Sequence, residues 1–368
     1  MKRFKTLLIC FLLPLPFISF CQTNSDCSDV TISSATINGS YTVNSYLESD
    51  GIRDGNDYYG STVYYPENTS GLLPSIIIIP GYANPELSIQ AWGSFLASHG
   101  IVCMTIGTNS IWDEVIDRKE ALQDALISLK AENNRTNSLL FNKLDTNLIA
   151  LGGWSMGGGG AQLVAAEDSN IKAVLAFCPW IDPSVVSPAL LNHSSPILIF
   201  SGQIDAVAPP GTHADIQYNY TPSSTKKLKY EVFGGGHTIA NTPLGGFGEV
   251  GRMGLSWLKK YLVNDSCYCP LLLDTPTTAS DYETNIDCST PTGVVDYIND
   301  LIVYPNPSSS TITLRGVLAK NNLYQIISID GRVLKSETLK TSKIDVSFLK
   351  KGVYFLDYEN RKIKIIKN

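Results

Sequence analysis

Positive charge is scarce in this chain. The 368 residues include 28 Lys and Arg against 34 Asp and Glu, a formal balance of −6, and charged residues make up only 17% of the whole. This balance argues against a nucleic-acid binder, which would usually show a basic surface. Histidine is rarer still, with four residues, so imidazole chemistry has few places to reside. Beyond residue 21 no run is apolar enough to span a bilayer. Disorder over the main body is excluded too, because hydrophobic residues make up 43%.

The first 21 residues read differently. "MKRFK" is a short basic region, "TLLICFLLPLPFI" an apolar stretch, and "SFC" sets small residues at the −3 and −1 positions before Gln22. This is the pattern of a secretory signal peptide cleaved after Cys21. A lipoprotein signal is the other reading of Cys21, and bulky Phe20 fits it poorly. A buried N-terminal helix is disfavoured by Pro14 and Pro16.

Export changes how the cysteines read. The mature chain keeps Cys27, Cys103, Cys178, Cys267, Cys269 and Cys288, an even set in an oxidising compartment. Cys103 and Cys178 sit on apolar strand-like runs and read as buried thiols. Cys267 and Cys269 are too close to bond readily to each other. One is expected to pair with Cys288 and the other with Cys27, without the sequence saying which. A bridge closing a loop of roughly 20 residues stabilises by about 3 kcal/mol on the chain-entropy estimate. Metal binding by Cys-x-Cys lacks a nearby histidine.

From about residue 28 to 265, strand-like runs alternate with helical ones. "STVYYP", "PSIIIIPG", "IVCMTIG", "NLIALGG", "IKAVLAFCP", "SPILIFSG" and "KKLKYEVF" are strand-like. "ELSIQAWGSFLASHG", "RKEALQDALISLKAENN", "GGGAQLVAAEDS" and "GEVGRMGLSWLKKYLV" carry helical spacing. The alternation predicts a three-layer α/β fold on a mainly parallel sheet. The expected divisions are a signal peptide over 1–21, a catalytic domain over 22–268, and a Ser/Thr/Pro-rich linker with a disulfide anchor over 269–299. A small antiparallel β-sandwich is expected over 300–368.

"GGWSMGGGG", residues 152–160, holds six glycines in nine positions. It lies between a strand and a helix, so Gly153-Trp154-Ser155-Met156-Gly157 is a G-x-S-x-G turn in the context that motif requires. The turn projects the Ser155 hydroxyl and aims a helix N-terminus at it, where developing negative charge is stabilised. A serine nucleophile needs a base, and the base an orienting acid, in the order Ser, acid, His. His99 and His193 precede strands, the wrong end, and His213 lies beyond the candidate acid at a helix start. His237 follows a strand in "GGGH" and is the base. Asp205, after a buried strand, is the acid; Asp182 falls one strand too early. The backbone N–H groups of Tyr82 and Met156 are the expected oxyanion donors.

"PGY", "LASHGIVCMTIGTNS", "GWSMGGGG", "PW", "IDAVAPP" and "GGGHTIAN" together resemble bacterial cutinases and PET hydrolases of the dienelactone-hydrolase-like α/β-hydrolases, over about residues 30–290. The resemblance implies a Ser155, Asp205, His237 triad. It also implies a shallow aromatic cleft in which Tyr82, Trp154 and Trp180 meet the polymer, with His213 packed behind Trp180. The best-known mesophilic type carries an extra disulfide between the acid and histidine loops; here those positions are Gly202 and Ile239, so that bridge is excluded. The same type has small residues where this chain has His213 and Gln217. Some relatives bind calcium, but no compact carboxylate cluster demands it here, and no cofactor or metal is expected.

"VYPNPSSSTITL", "GRVL", "IDVSFLKKGVYFL" and the lysine-rich end "KIKIIKN" resemble the C-terminal sorting domain of the type IX secretion system. This implies passage through the outer membrane by that machinery, to a secreted or surface-held state. A polymer-binding module is the structural alternative. The expected enzyme is a monomeric serine ester hydrolase acting on polyesters. A soluble-ester carboxylesterase or lipase is the first alternative, and a non-catalytic surface adhesin the second.

Overall fold

The computed structural model describes residues 27–288, 302–315, 323–329, 331–358 and 361–368. The expected signal peptide and the last part of the expected linker lie outside the described residues. Contacts divide the chain into two units at Cys288/Ser289.

In the N-terminal unit the strands are β1 Val43–Leu47, β2 Ser61–Pro66, β3 Leu73–Ile79, β4 Val102–Ile106, β5 Leu144–Trp154, β6 Val174–Phe177, β7 Ile197–Gly202, β8 Lys227–Val232 and β9 Ala279–Thr284. They form one sheet in the order β1-β2-β4-β3-β5-β6-β7-β8-β9. The strands from β4 to β8 pair in parallel, while β1, β2 and β9 add antiparallel edges. Between them run α1 Ile32–Thr36, α2 Ala91–Ser98, α3 Val115–Glu132, α4 Met156–Glu167, α5 Ala214–Tyr220, α6 Glu249–Tyr261 and α7 Cys269–Leu273. This is the α/β-hydrolase arrangement.

The apolar run of β3 shows why a buried parallel strand carries no polar alternation. All seven of its residues are buried, because helices cover both faces of the sheet. Ile76 and Ile78 face one way, into a core with Trp92 and Phe95 of α2 and Trp257 of α6. Ile77 and Ile79 face the other, toward Leu122 of α3 and Val164 of α4. Each such side chain stabilises by about 1.5–3 kcal/mol through burial.

One sequence expectation needs correcting. Residues 269–299 do not read as structure, yet up to Cys288 they belong to the catalytic unit. Cys269–Leu273 is helical, and β9 pairs antiparallel with β8, Tyr282 facing Tyr230. Nearly every β9 residue is only half buried, so an edge strand here shows neither alternation nor an apolar run. Polar pairing holds it instead: the buried ammonium of Lys229 meets Asp281 and Glu283, each at 2.8 Å, and also Asp215 of α5. The two disulfides close this region: Cys27 bonds Cys267, and Cys269 bonds Cys288. Cys103 and Cys178 are free and buried.

In the C-terminal unit, β10 Ile302–Tyr304, β11 Thr311–Arg315 and β14 Lys343–Asp345 form one antiparallel sheet. β12 Leu323–Ser328, β13 Val333–Thr338, β15 Gly352–Tyr358 and β16 Arg361–Lys367 form a second, in the order β13-β12-β15-β16. Ile312, Leu314, Ile326, Leu356 and Ile365 supply its core. This region is all-β, as its period-two patterning predicts.

Candidate active site

Strand β5 ends at Trp154 and α4 begins at Met156, leaving Ser155 alone in the turn. Its backbone lies at φ 55°, ψ −121°, a conformation unfavourable for a residue with a Cβ. Three hydrogen bonds hold it there: its N–H donates to Phe177 O at 2.8 Å, and its carbonyl accepts from Gly159 N at 3.1 Å and Trp180 N at 2.9 Å. The glycines now have a packing reason. A Cβ on Gly153 would stand 2.3 Å from the backbone of Gly157, and one on Gly157 would stand 2.5 Å from Pro80 O. The turn closes only because those atoms are missing.

The loop after β3 approaches just as closely. A Cβ on Gly81 would meet Ser155 Cβ at 2.8 Å, so the Pro80–Tyr82 backbone lies against the serine. Met156 is the first residue of α4, and its N–H is among those a helix leaves without an internal partner.

The acid and histidine follow β7 and β8. His237 Nε2 lies 2.9 Å from Ser155 Oγ, and His237 Nδ1 lies 2.7 Å from Asp205 Oδ2. The other carboxylate oxygen, Asp205 Oδ1, accepts from the N–H groups of Val207 and Ala208, both at 2.8 Å. Burial raises the Asp205 pKa, but the His237 hydrogen bond, these amides and the imidazole charge outweigh it and hold the carboxyl below its ordinary value. Asp182, the rejected competitor, is exposed and turns its carboxylate onto Ser184. Cys178 lies beside the pair, with its sulfur within 4.8 Å of the ligand atoms of Asp205 and His237. Burial pushes its thiol upward, so it stays protonated, while the other two groups are committed to each other.

Tyr82 is 41% exposed and packs edge-on against Trp112, ring centroids 5.4 Å apart. Trp180 is half-buried with the His213 ring 5.8 Å away, so those two are brought together. His213 is buried, and burial lowers its pKa. Gln217 donates to the carbonyl of Pro179 at 3.1 Å and so fixes the residue before Trp180. Trp154 packs against the His237 ring, centroids 5.3 Å apart. It is 4% exposed, and its indole N–H donates to the carbonyl of His237 at 2.8 Å. That bond commits the indole N–H to the histidine loop.

Where the extra disulfide is excluded, two main-chain bonds and one to a side chain join the two loops. Ile204 N donates to Gly235 O at 2.9 Å, Gln203 N to Val232 O at 3.0 Å, and Gly234 N to Gln203 Oε1 at 3.0 Å. A Cβ on Gly202 would lie 2.4 Å from Gly235 O, so no side chain fits there.

Sequence reasoning missed Trp112 and Arg118. Trp112, 59% exposed, sits in an irregular loop where nothing periodic marks it. Arg118 has the sequence appearance of a solvent-facing helical charge, yet it is fully buried.

Residues 23–293 match the PET hydrolase-like family, and residues 302–368 match the secretion system C-terminal sorting domain. Over 219 residues the chain is 35% identical to Cutinase 1 of Thermobifida cellulosilytica, covering 59% of this chain and 79% of that protein. A cutinase of Thermobifida fusca is equally similar, with 68% of its length covered. Lipase 1 of a Moraxella species is 32% identical over 252 residues, 67% of this chain and 74% of the lipase. A serine held in a strained turn within reach of a histidine is what such a family would require. The sorting domain places the product outside the cell or on its surface. This chain belongs to the PET hydrolase-like family and is an ester hydrolase.

Proposed function

We propose that the chain hydrolyses polyesters by two-step acyl transfer at Ser155, with His237 as base and Asp205 as orienting acid. The relay from Ser155 Oγ through His237 to Asp205, at 2.9 and 2.7 Å, carries this reading. His237 Nε2 takes the hydroxyl proton as Oγ adds to the ester carbonyl, and the N–H groups of Tyr82 and Met156 receive the oxyanion. The imidazolium returns its proton to the departing alcohol. Water then repeats the sequence on the acyl-enzyme, releasing the acid and Ser155. Asp205, low in pKa and doubly anchored, fixes the imidazole tautomer and stabilises its charge.

The substrate class follows from what surrounds the relay. Tyr82, Ile111, Trp112, Ile204 and Val207 are each 40% exposed or more, on the loops that carry or flank the oxyanion and acid positions. Such a rim suits a long, uncharged, apolar chain. His213 behind Trp180 restricts that ring, and one Trp180 rotamer in crystals is the expected outcome; several would refute it. The protein acts as a monomer, and the type IX machinery receives it through the C-terminal unit.

The Moraxella lipase supports a second reading, a lipase or carboxylesterase acting on small esters. The deciding experiment measures soluble aromatic products released from amorphous PET film by the protein and by Ser155→Ala, with a short-chain ester as control. Film products from the parent alone establish a polyester hydrolase. Short-ester cleavage without film products reduces the assignment to esterase. A parent that no serine-directed phosphonate labels would point to a surface adhesin.

A further inference from the structure

Arg118 is the first turn of α3 facing inward, and it is 0% exposed. A fully buried guanidinium is expensive unless its donors are used. Here Nη1 donates to the carbonyl of Pro80 at 3.0 Å, and Nη2 donates to the carbonyl of Ile111 at 3.2 Å. Among the described residues no partner reaches Nε. Neither acceptor is on α3 or in its core. Pro80 precedes Gly81 and Tyr82, the backbone that lies against Ser155. Ile111 precedes Trp112, the ring packed on Tyr82.

The two loops are also tied directly, because Ala83 N donates to the same Ile111 carbonyl at 2.7 Å. Ala83 holds φ 60°, a left-handed conformation that a residue with a Cβ adopts only under constraint. Tyr82 thus lies between two pinned points, the Pro80 carbonyl before it and the Ala83 N–H after it. Both pins end on groups bound by one guanidinium. Arg118 is in turn fixed by packing: a Cβ on Gly160 of α4 would stand 3.3 Å from Arg118 Cβ, so the helix that starts at Met156 sits against the helix that carries Arg118.

We propose that Arg118 is a positioning residue that sets the Tyr82 N–H against the oxyanion and, through Ile111, seats the Tyr82–Trp112 wall. This rests on the acyl-transfer reading above. The planar fork is needed because two carbonyls on separate loops must be met at once, which a lysine ammonium at the same place does less well. Burial lowers the guanidinium to about 10, partly opposed by Asp113 and Asp117, so it stays charged at neutral pH. The donor it positions acts in the transition state, where the oxyanion forms. Its loss therefore falls on kcat and leaves ground-state binding of a small ester nearly unchanged.

The test compares the parent, Arg118→Lys and Arg118→Met in the full chain on a short-chain soluble ester, with active sites titrated by a phosphonate so that misfolded protein is not counted. The expected result is a kcat per titrated site about 10-fold lower for Lys and up to about 100-fold lower for Met, with KM within twofold. Affinity for phenylboronic acid, which mimics the tetrahedral adduct on Ser155, falls by the same ratios. A kcat per titrated site within twofold of the parent in both variants overturns the proposal, whatever fraction of each folds. So does a loss confined to KM. If the parent's Ser155 is not labelled and Ser155→Ala keeps its activity, the acyl-transfer reading fails first.

Discussion

The two units of this molecule spend their polar residues differently. In the N-terminal unit, Arg118, Asp205, His213, Lys229 and Arg252 are all buried. Among the described residues of the C-terminal unit, Ser308 is the buried polar side chain. The first unit covers both faces of a parallel sheet and can hold charges in place with surrounding backbone; the second is two thin antiparallel sheets over one small core. Chemistry requires polar groups held out of water, and only the first architecture has the depth to do so. The second carries an address that other molecules read.

The largest test of this contrast is at Ser155. Replacement by Ala should lower kcat on a soluble ester by 10⁴-fold or more, and His237→Ala should do nearly the same, since the relay acts as a unit. Deleting residues from 300 onward should change kcat per titrated site less than twofold. A larger change would break the division of labour between the units.

The disulfides come next. Both lie in the N-terminal unit, as do all five tryptophans, so indole fluorescence follows that unit's unfolding alone. With a sequence separation of 240, the Cys27–Cys267 bridge should contribute about 5 kcal/mol on the chain-entropy estimate, and Cys269–Cys288, separated by 19, about 3 kcal/mol. Urea melts of Cys27→Ser and Cys288→Ser should show that order. Equal losses would mean that strain or residual structure outweighs loop length.

Acid should also separate the units, because all four histidines lie in the first. Burial lowers His193 from 6.5 to about 4, and lowers His99 and His213 as well. The unfolded chain then binds protons that the folded one refuses. Stability is complete above pH 6.5 and falls as pH drops toward 4, by about 3 kcal/mol from His193. Thermal melts of His193→Gln should show a smaller drop between pH 7 and 4.5 than the parent. An unchanged drop would assign the acid sensitivity elsewhere.

The smallest effect is expected at Trp154. Trp154→Phe keeps the ring but leaves the His237 carbonyl without its donor, a loss of about 1–2 kcal/mol for a buried acceptor. It should lower kcat several-fold and leave KM for a small ester unchanged. A rise in KM alone would return Trp154 to the substrate-contacting role expected from the sequence.

Much of the site was legible along the chain. G-x-S-x-G between a strand and a helix located Ser155. The order of acid and histidine, with four histidines to choose from, singled out Asp205 and His237, and the structure brings the three into one relay. The resemblance implies a substrate contact for Trp154, and only the fold shows that its indole N–H is bonded to the His237 carbonyl, 83 residues away. Arg118 and β9 could not be read because their partners, the Pro80 and Ile111 carbonyls and the side of β8, lie on other loops and strands that only the fold brings alongside. A lone charge or a half-buried edge strand carries no local signature.

Local patterning by itself determined the alternation of strands and helices, the nucleophile's turn and the all-β character of the tail. Each is written in residues close together along the chain: the apolar period, the glycines around Ser155, the turn residues. Only the tertiary structure decided which cysteines pair, that Trp154 supports the histidine loop, and that one buried guanidinium ties the loop beside Ser155 to the aromatic wall. Those depend on which distant backbones meet, and burial gives a polar group its role only after the surrounding chain has closed over it.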